Sequence, residues 1–268
     1  MRKAIVAFTK IPEEGKSKTR LTESRGGFFT PQEANVLYEA MILDVIDCCI
    51  EAAGSEHKFW ICHDKDGDSQ RFRDFLRKNV REFTKISGIY CDEGGSFDEC
   101  MQFAADYMFS EGVEQRIADG IIIVGGDLPT MQPGSLKAAL QKLESLSAVR
   151  ENGRPGSAMV AAACQDGGFS LVGYTYATPF NFNGVFYNTD GLTALDVLVD
   201  KAAKASIPFG IVEAMADIDV PNDLGSMIPV LRALELAAAY DTSIMTPERT
   251  LSVIREMGLT AVTPGKEL

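Results

Sequence analysis

Short apolar runs alternate with longer amphipathic segments along this chain, and the alternation constrains the fold more than any other feature. The runs favour β-strands and the segments between them favour helices, a pattern typical of βαβ units. The predicted strands cover residues 3–8, 58–62, 85–90, 120–124, 158–163 and 169–174. Because strands joined through helices pair in parallel, we expect an α/β fold with a mostly parallel central sheet that is covered on both faces.

Helical periodicity fills the intervals between the strands. Pro31 suits the first turn of a helix whose apolar residues, among them Leu37 and Met41, recur at spacings of three and four. Further helices are predicted at 68–79, 97–109, 133–146, 191–204, 221–239 and 247–257. Residues 147–157 are the most loop-like stretch, either a linker or a surface connection. A length of 268 residues with 46% hydrophobic residues suits one large domain over 1–268.

Charge and cysteine content exclude several classes of protein. The net charge is −12, from 38 acidic and 26 basic residues, which argues against the broad basic surface of a nucleic-acid binder. No run approaches the roughly 20 apolar residues of a membrane span, and the first apolar run is too short for a signal peptide. The six cysteines form no C-x-x-C pair. We therefore expect a cytoplasmic protein with free thiols and with neither nucleic acid nor membrane as a partner.

The loop after the first predicted strand is the most informative segment. It carries four basic residues: Lys10, Lys16, Lys18 and Arg20. The run from Gly15 imitates the end of a Walker A motif, but the first glycine of that motif is missing and Pro12 lacks a backbone N–H. No G-x-G-x-x-G occurs. The loop instead offers cationic donors to a di- or triphosphate, and a solvated basic turn is the alternative.

Acidic residues follow predicted strands at two later points. Asp127 comes directly after a continuous apolar strand, where ligands of open α/β sheets bind, although an Asp that caps a turn is the alternative. Asp217 and Asp219 alternate in an extended stretch and so point the same way. Two or three carboxylates of this kind, with waters and phosphate oxygens, are typical of a Mg²⁺ site. Asp223 instead suits the first turn of the following helix.

Other motifs say less about chemistry. A D-G-G turn at Asp166 lies between two apolar strands, as a hairpin or bend, and its carboxylate is either an acceptor-side group or a turn former. His57 and His63 lie in no nucleophile or zinc pattern, and neither G-x-S-x-G nor H-E-x-x-H occurs. Hydrolase and zinc-enzyme interpretations therefore have little support.

Four segments occur in a characteristic order: K-x-P-x-x-G-x-x-K-T-R-L at 10–21, G-G-D-L-P at 125–129, D-G-G-F-S-L-V-G at 166–173 and D-I-D-V-P-N-D-L at 217–224. Together they resemble the glycosyltransferase-A type nucleotide-diphospho-sugar transferases, and most of all the bacterial branch associated with radical-SAM and selenium-domain proteins. The 2-phospho-lactate and molybdenum-cofactor guanylyltransferases are more distantly similar. The resemblance spans nearly the whole chain, and its Lys-Thr-Arg-Leu segment is the specific part.

The resemblance implies a single-domain, Rossmann-like three-layer αβα sandwich, the nucleotide-diphospho-sugar transferase fold. It implies a transferase that uses Mg²⁺ or Mn²⁺, a nucleotide or nucleotide-sugar donor and a small-molecule acceptor of open identity. The implied catalytic residues are Lys18, Arg20 and Asp127, and the implied metal ligands are Asp127, Asp217 and Asp219. Implied nucleotide-binding residues are Lys10, Gly15, Lys16, Lys18, Thr19, Arg20, Gly95 and Asp98. The implied acceptor pocket contains Asp166, Gly167, Gly168 and Asn188.

Two alternative functions and a homodimer stay open. A nucleotidyltransferase of the guanylyltransferase kind would release pyrophosphate rather than a nucleoside diphosphate. A nucleotide-binding module that has lost turnover is the alternative of another class, because two family features are missing. Cys100 stands where the family tends to have Arg, and the segment around Phe186 lacks the Trp of an F-x-G-x-x-W pattern.

Overall fold

The computed structural model describes residues 1–110, 116–148 and 154–261. Its strands are β1 (Lys3–Thr9), β2 (Lys58–His63), β3 (Ile86–Cys91), β4 (Gly120–Gly125), β5 (Met159–Ala163), β6 (Phe169–Thr175) and β7 (Phe209–Ile211). Its α-helices are α1 (Pro31–Ala53), α2 (Ser69–Asn79), α3 (Phe97–Ser110), α4 (Pro133–Leu146), α5 (Ala194–Lys204), α6 (Pro221–Ala238) and α7 (Glu248–Glu256).

The strands form one sheet in the order β3-β2-β1-β4-β6-β5-β7. β1 is central and parallel to both neighbours, with Ile5 beside Phe59 of β2 and Ile122 of β4. β6 runs antiparallel to β4 and β5, and β7 is parallel to β5. The predicted α/β fold with a mostly parallel sheet is therefore confirmed. The sheet differs from the prediction in β7, which was not expected.

The sequence explains why β1 and β4 lie at the centre. Ala4, Ile5 and Val6 are fully buried, and the apolar residues of β4 are buried on both faces. Helices α1, α4, α6 and α7 contribute to the core on one side of the sheet, and α3 and α5 contribute to the core on the other. Because all strands except β6 run in the same direction, their carboxyl ends lie at one common edge of the sheet.

Local signals fix the starts of the helices. Thr30 and Glu33 form a capping box at the start of α1, and Pro31 occupies its first turn as expected. α5 begins at Ala194 rather than 191, because the Thr193 side chain accepts the N–H of Asp196 and so caps the helix there. The predicted loop at 147–157 falls partly on residues 149–153, which lie outside the described ranges.

A buried ion cluster attaches α7 to α1. The Arg249 guanidinium lies 2.7 Å from an oxygen of Asp47 and 3.4 Å from one of Asp44. The backbone N–H of Thr250 also donates to Asp44, at 2.8 Å. Burial raises the pKa of Asp44, and these donors oppose the effect.

In the described parts of the chain, no helix is both long and apolar enough to cross a membrane.

Candidate functional site

A cavity of about 1240 Å³ opens at the edge of the sheet where the parallel strands end. Its walls come from the loops after β1, β2, β3 and β4, the D-G-G turn before β6, the segment before α5 and the acidic stretch before α6. Ligand pockets usually measure about 300–1,000 Å³, so this cavity has room for more than one small molecule. It also lies where open α/β sheets bind their ligands.

The loop after β1 turns back on itself before it reaches its last basic residues. The N–H groups of Lys16 and Ser17 both donate to the carbonyl of Glu13, and the Ser17 hydroxyl accepts the Glu13 N–H at 2.9 Å. Lys18 then adopts a left-handed conformation with φ of 45°, which a residue other than glycine rarely takes. This turn directs Lys18 into the cavity wall and leaves Arg20 largely exposed.

Lys18 makes two ion pairs with acids that are remote in sequence. Its Nζ lies 2.5 Å from Oδ2 of Asp127 and 2.7 Å from Oδ1 of Asp219, and its side chain is only 7% exposed. Burial lowers the pKa of Lys18, but the charges and hydrogen bonds of the two carboxylates outweigh burial and raise the pKa above its usual value. Lys18 is therefore a fixed cation between two of the predicted metal ligands.

The ends of β1 and β4 approach each other closely beside this lysine. A Cβ on Gly126 would lie 2.5 Å from Oγ1 of Thr9, so the contact requires glycine. The hydroxyls of Thr9 and Tyr38 are 3.0 Å apart, and the Lys10 N–H donates to the Tyr38 hydroxyl. Burial raises the pKa of Tyr38 to about 12, so it stays neutral. Sequence reasoning missed Tyr38 because it lies within the apolar stripe of α1.

The acidic stretch before α6 meets the cavity as predicted. Asp223 accepts the backbone N–H groups of Asp219 and Val220, which confirms that it serves the start of the helix. Asp217 is half-buried, and burial together with the charges of Asp127 and Asp219 raises its pKa to about 6. The Arg20 guanidinium lies 3.3 Å from Asp219.

Three carboxylates in electrostatic range of one another form a donor set of the kind that Mg²⁺ or Mn²⁺ prefers. Burial is the main cause of the raised pKa of Asp217, and the charges of Asp127 and Asp219 add to it. A divalent cation would offset this negative charge, so these residues fit one chemically. Within the described residues no three His, Cys, Asp or Glu side chains converge on one position, and Lys18 lies between Asp127 and Asp219. The metal site stays a prediction.

Four of the remaining predicted nucleotide-binding residues line the cavity, and the other two, Gly15 and Asp98, shape or hold its loops. Lys10, Lys16, Thr19 and Gly95 line the cavity with Lys18 and Arg20. Gly15 shapes the turn of the basic loop, at φ of 78°. Asp98 is 7% exposed, and its two oxygens accept the N–H groups of Gly184 and Phe186. This geometry gives Asp98 the role of holding a loop of the cavity wall.

The D-G-G turn places three of the four predicted acceptor residues in the cavity. Oδ1 of Asp166 accepts the Gly168 N–H at 3.0 Å and the Cys164 thiol at 2.7 Å. The thiol hydrogen bond lowers the pKa of Asp166, and burial raises the pKa of Cys164 to about 12. The fourth residue, Asn188, bonds to the backbone of Leu192 through both ends of its amide and so closes a loop.

An aromatic wall, consisting of Phe8, Phe97, Phe169 and Phe186, lines another side of the cavity. The rings of Phe97 and Phe186 are 4.5 Å apart, Phe169 packs on Phe186 at 5.2 Å, and Phe97 is 39% exposed. Sequence reasoning did not assign this wall. Its only local signal was the group of phenylalanines around Phe186 that replaces the expected Trp.

Asp92, directly after β3, holds the loops that follow β2 and β3 in the cavity wall. Asp92 is 5% exposed and accepts the N–H groups of Lys65 and Gly94. Cys100 lines the cavity, and burial together with a hydrogen bond to Asp92 raises its pKa to about 11. A neutral thiol therefore occupies the position where the family tends to have Arg.

Comparisons with known proteins bear on the fold that carries this cavity. A sequence profile described as "Uncharacterized protein conserved in bacteria (DUF2064)" matches residues 49–189. No curated protein matches the sequence. A Desulfovibrio desulfuricans G20 protein that is assigned as a nucleotide-diphospho-sugar transferase has a similar structure, with a TM-score of 0.71 and 21% identity over 96% of each chain. This similarity confirms the resemblance at the level of the fold.

Two further solved structures have lower TM-scores. A CMP:2-keto-3-deoxy-manno-octonic acid synthetase complexed with CTP has a TM-score of 0.50 and 14% identity, over 88% of this chain and 100% of the other. A cytidylyltransferase from Leptospira borgpetersenii serovar Hardjo-bovis (strain JB197) has a TM-score of 0.50 and 10% identity, over 96% of this chain and 95% of the other. In both cases the similarity in fold covers most of this chain.

Proposed function

The chain belongs to the bacterial DUF2064 family, and from this premise we propose that it is a divalent-metal-dependent transferase that binds a nucleotide-activated donor. In the simplest case the donor is a nucleotide-diphospho-sugar, and the acceptor is a small molecule. The fold that the chain shares with an assigned nucleotide-diphospho-sugar transferase supports this proposal. Fold alone does not define a reaction, so the argument depends on the cavity.

The observation that carries the proposal is the meeting of two groups of side chains at one edge of the sheet. Lys18 and Arg20 come from the loop after β1, and Asp127 and Asp219 come from the end of β4 and the start of α6. Cations and carboxylates in one cavity suit a ligand that combines phosphates with a divalent metal. A solvated basic turn would not bury Lys18 on two remote acids.

The proposed roles follow from these positions. Lys18 and Arg20 bind the donor phosphates, with Lys10 and Lys16 in support. Asp127 and Asp219, with Asp217, would hold the cation, which supplies charge neutralisation at the departing phosphates. Cationic donors that are preorganised in a partly buried site stabilise the charge that develops on a leaving group. Removing one such donor typically costs about 10²–10³ in rate.

The other half of the cavity is the proposed acceptor side. Asp166 is held by Cys164 and Gly168, which leaves its second oxygen available to orient a hydroxyl. The aromatic wall offers apolar surface to the body of the acceptor. The volume of about 1240 Å³ accommodates donor and acceptor together.

A nucleotidyltransferase is the second candidate, because two structures with this fold are a CTP-bound synthetase and a cytidylyltransferase. The two reactions differ in the bond that breaks. Attack of the acceptor on the sugar carbon releases a nucleoside diphosphate, whereas attack on the α-phosphorus of a nucleoside triphosphate releases pyrophosphate.

The test is a product assay with Mn²⁺ and panels of nucleotide sugars and nucleoside triphosphates, each with a mixture of hydroxylated and phosphorylated acceptors. Nucleoside diphosphate supports the first reaction, and pyrophosphate supports the second. Asp127→Asn should abolish either product while the protein stays folded by circular dichroism. Tight nucleotide binding without any product would contradict the transferase and support the binding module.

A binding experiment tests the phosphate loop separately. Lys18→Ala should weaken nucleotide binding strongly in the presence of Mn²⁺, because the buried ammonium is removed. Lys58→Ala is the control, since Lys58 is exposed at the opposite end of β2. Equal losses of affinity in the two variants would contradict the special role of the loop.

A further inference from the structure

Lys18 occupies a position where a divalent cation would compete with it. Its Nζ contacts the oxygens of Asp127 at 2.5 Å and Asp219 at 2.7 Å. A Mg²⁺ ion approaches such oxygens at about 2.0–2.1 Å. A metal on both carboxylates would therefore lie against the ammonium, and two cations at contact distance in a partly buried site repel each other strongly.

This competition has a consequence for Lys18 itself. The side chain is 7% exposed, so an ammonium that loses both carboxylates needs another anionic partner or must move to solvent. Lys18 lies on the loop that also carries Lys10, Lys16 and Arg20 around the same cavity. A polyphosphate bound among these residues would provide the replacement partner.

We propose that Lys18 is an internal counter-ion which blocks Asp127 and Asp219 until a polyphosphate draws it away, so that the protein takes its metal together with the phosphates of the nucleotide. Metal alone binds weakly, because it must displace a paired ammonium. Metal and polyphosphate together bind well, because the polyphosphate draws Lys18 away from the two carboxylates and the metal takes its place there. The ligand that the site accepts is thus a metal–polyphosphate complex. This inference rests on the proposed function.

The coupling is reciprocal. If phosphate raises the affinity for the metal by some factor, the metal raises the affinity for phosphate by the same factor. Couplings of this kind usually amount to about 5- to 150-fold. Arg20 does not replace Lys18 in this role, since its side chain is 70% exposed and pairs with Asp219 at 3.3 Å but, among the described ion pairs, not with Asp127.

The experiment measures Mn²⁺ binding by electron paramagnetic resonance, without any nucleotide and without turnover. Lys18→Met keeps the length of the side chain and removes the ammonium, so Mn²⁺ alone should bind about 5- to 150-fold more tightly than in the wild type. Lys65→Met is the matched control, because it removes a positive charge from the same cavity without touching Asp127 or Asp219. Its affinity for Mn²⁺ should change little. Unchanged or weaker Mn²⁺ binding by Lys18→Met would overturn the proposal.

A second measurement uses the wild type and does not depend on the variant's folding. Mn²⁺ is titrated with and without inorganic pyrophosphate, and the binding of Mn²⁺ to pyrophosphate is subtracted with a protein-free titration. The affinity of the protein for Mn²⁺ should rise with pyrophosphate, and no rise would overturn the proposal. If Lys18→Met is unfolded, Lys18→Gln takes its place in the first titration.

The outcomes separate this inference from the proposed function. If Mn²⁺ and pyrophosphate bind cooperatively but Lys18→Met binds Mn²⁺ no more tightly than the wild type, the counter-ion role is contradicted and the metal-dependent transferase is not. A gain in Lys18→Met supports the counter-ion role even if no transfer product is ever found. No Mn²⁺ binding by any variant, with or without pyrophosphate, overturns both.

Discussion

Asp98 is predicted to hold the loop that carries Phe186 against the cavity. Its carboxylate is 7% exposed and accepts the N–H groups of Gly184 at 2.8 Å and Phe186 at 2.9 Å. Asp98→Ala removes both acceptors. Each buried donor that is left without a partner costs about 1–3 kcal/mol, and these N–H groups are only partly shielded from water. We therefore expect the free energy of unfolding to fall by about 2–4 kcal/mol in total.

Asp98→Asn is the matched variant. Its amide oxygen accepts one of the two N–H groups, whereas its NH₂ group faces the other donor, so the loss should lie between the wild type and Asp98→Ala. Glu93→Gln is the charge control, because Glu93 is an exposed carboxylate in the loop before α3. Its free energy of unfolding should stay within about 0.5 kcal/mol of the wild type.

Urea unfolding followed by tryptophan fluorescence measures these differences. The chain has one tryptophan, and Trp60 packs against the core on the side of the sheet that includes α3 and this loop. A midpoint shift at constant slope reports a change in stability. An Asp98→Ala variant within about 0.5 kcal/mol of the wild type would refute the anchoring role. If that variant also lost nucleotide binding, Asp98 would contact the ligand as the sequence predicted.

Two further predictions concern the acidic stretch and α7. Burial and its acidic neighbours raise the pKa of Asp217 to about 6, so the folded protein loses stability as pH rises from about 4 to about 6. Asp217→Asn should therefore be about 1–2 kcal/mol more stable than the wild type at about pH 8, and no more stable at about pH 4, in thermal unfolding with a chelator present. Arg249→Met leaves its two carboxylate partners on α1 unpaired and should cost about 3–5 kcal/mol in urea unfolding. Arg77→Met breaks an exposed pair with Asp74 and a contact of Arg77 with the Phe83 ring, and it should cost little, so equal losses would contradict the argument.

Much of the fold could be predicted because its central strands carry strong local patterns. β1 and β4 are continuous apolar runs, and both are buried on two faces. The short turn between β5 and β6 permits only an antiparallel return, so the reversed strand also has a sequence signal. β7 has none: it is three residues long and forms by pairing with β5. A strand of this length is defined by its neighbour rather than by its own residues.

Residues of the site could be predicted one by one, but not their contacts with each other. Lys18 was assigned to phosphate and Asp127 and Asp219 to metal, each from its own segment. The ion pairs that join them span 109 and 201 positions. The order of strands brings the ends of β1 and β4 together, and the segment before α6 reaches the same cavity. The loop contacts of Asp98 could not be predicted for a related reason, because its partners lie 86 and 88 positions away.

This cluster changes what the charge of the chain means for phosphate binding. A net charge of −12 repels nucleotides at long range, and residues 1–25, with seven Lys or Arg against three Glu, form a local exception. Lys18, whose side chain is only 7% exposed, is already paired with two carboxylates. Its charge is therefore not free to attract a nucleotide from solution. The proposal therefore assigns steering to the exposed Lys16 and Arg20, and it assigns tight binding to a cation that would take over Asp127 and Asp219. On this proposal, an acidic protein of this design favours metal-complexed phosphates over free ones.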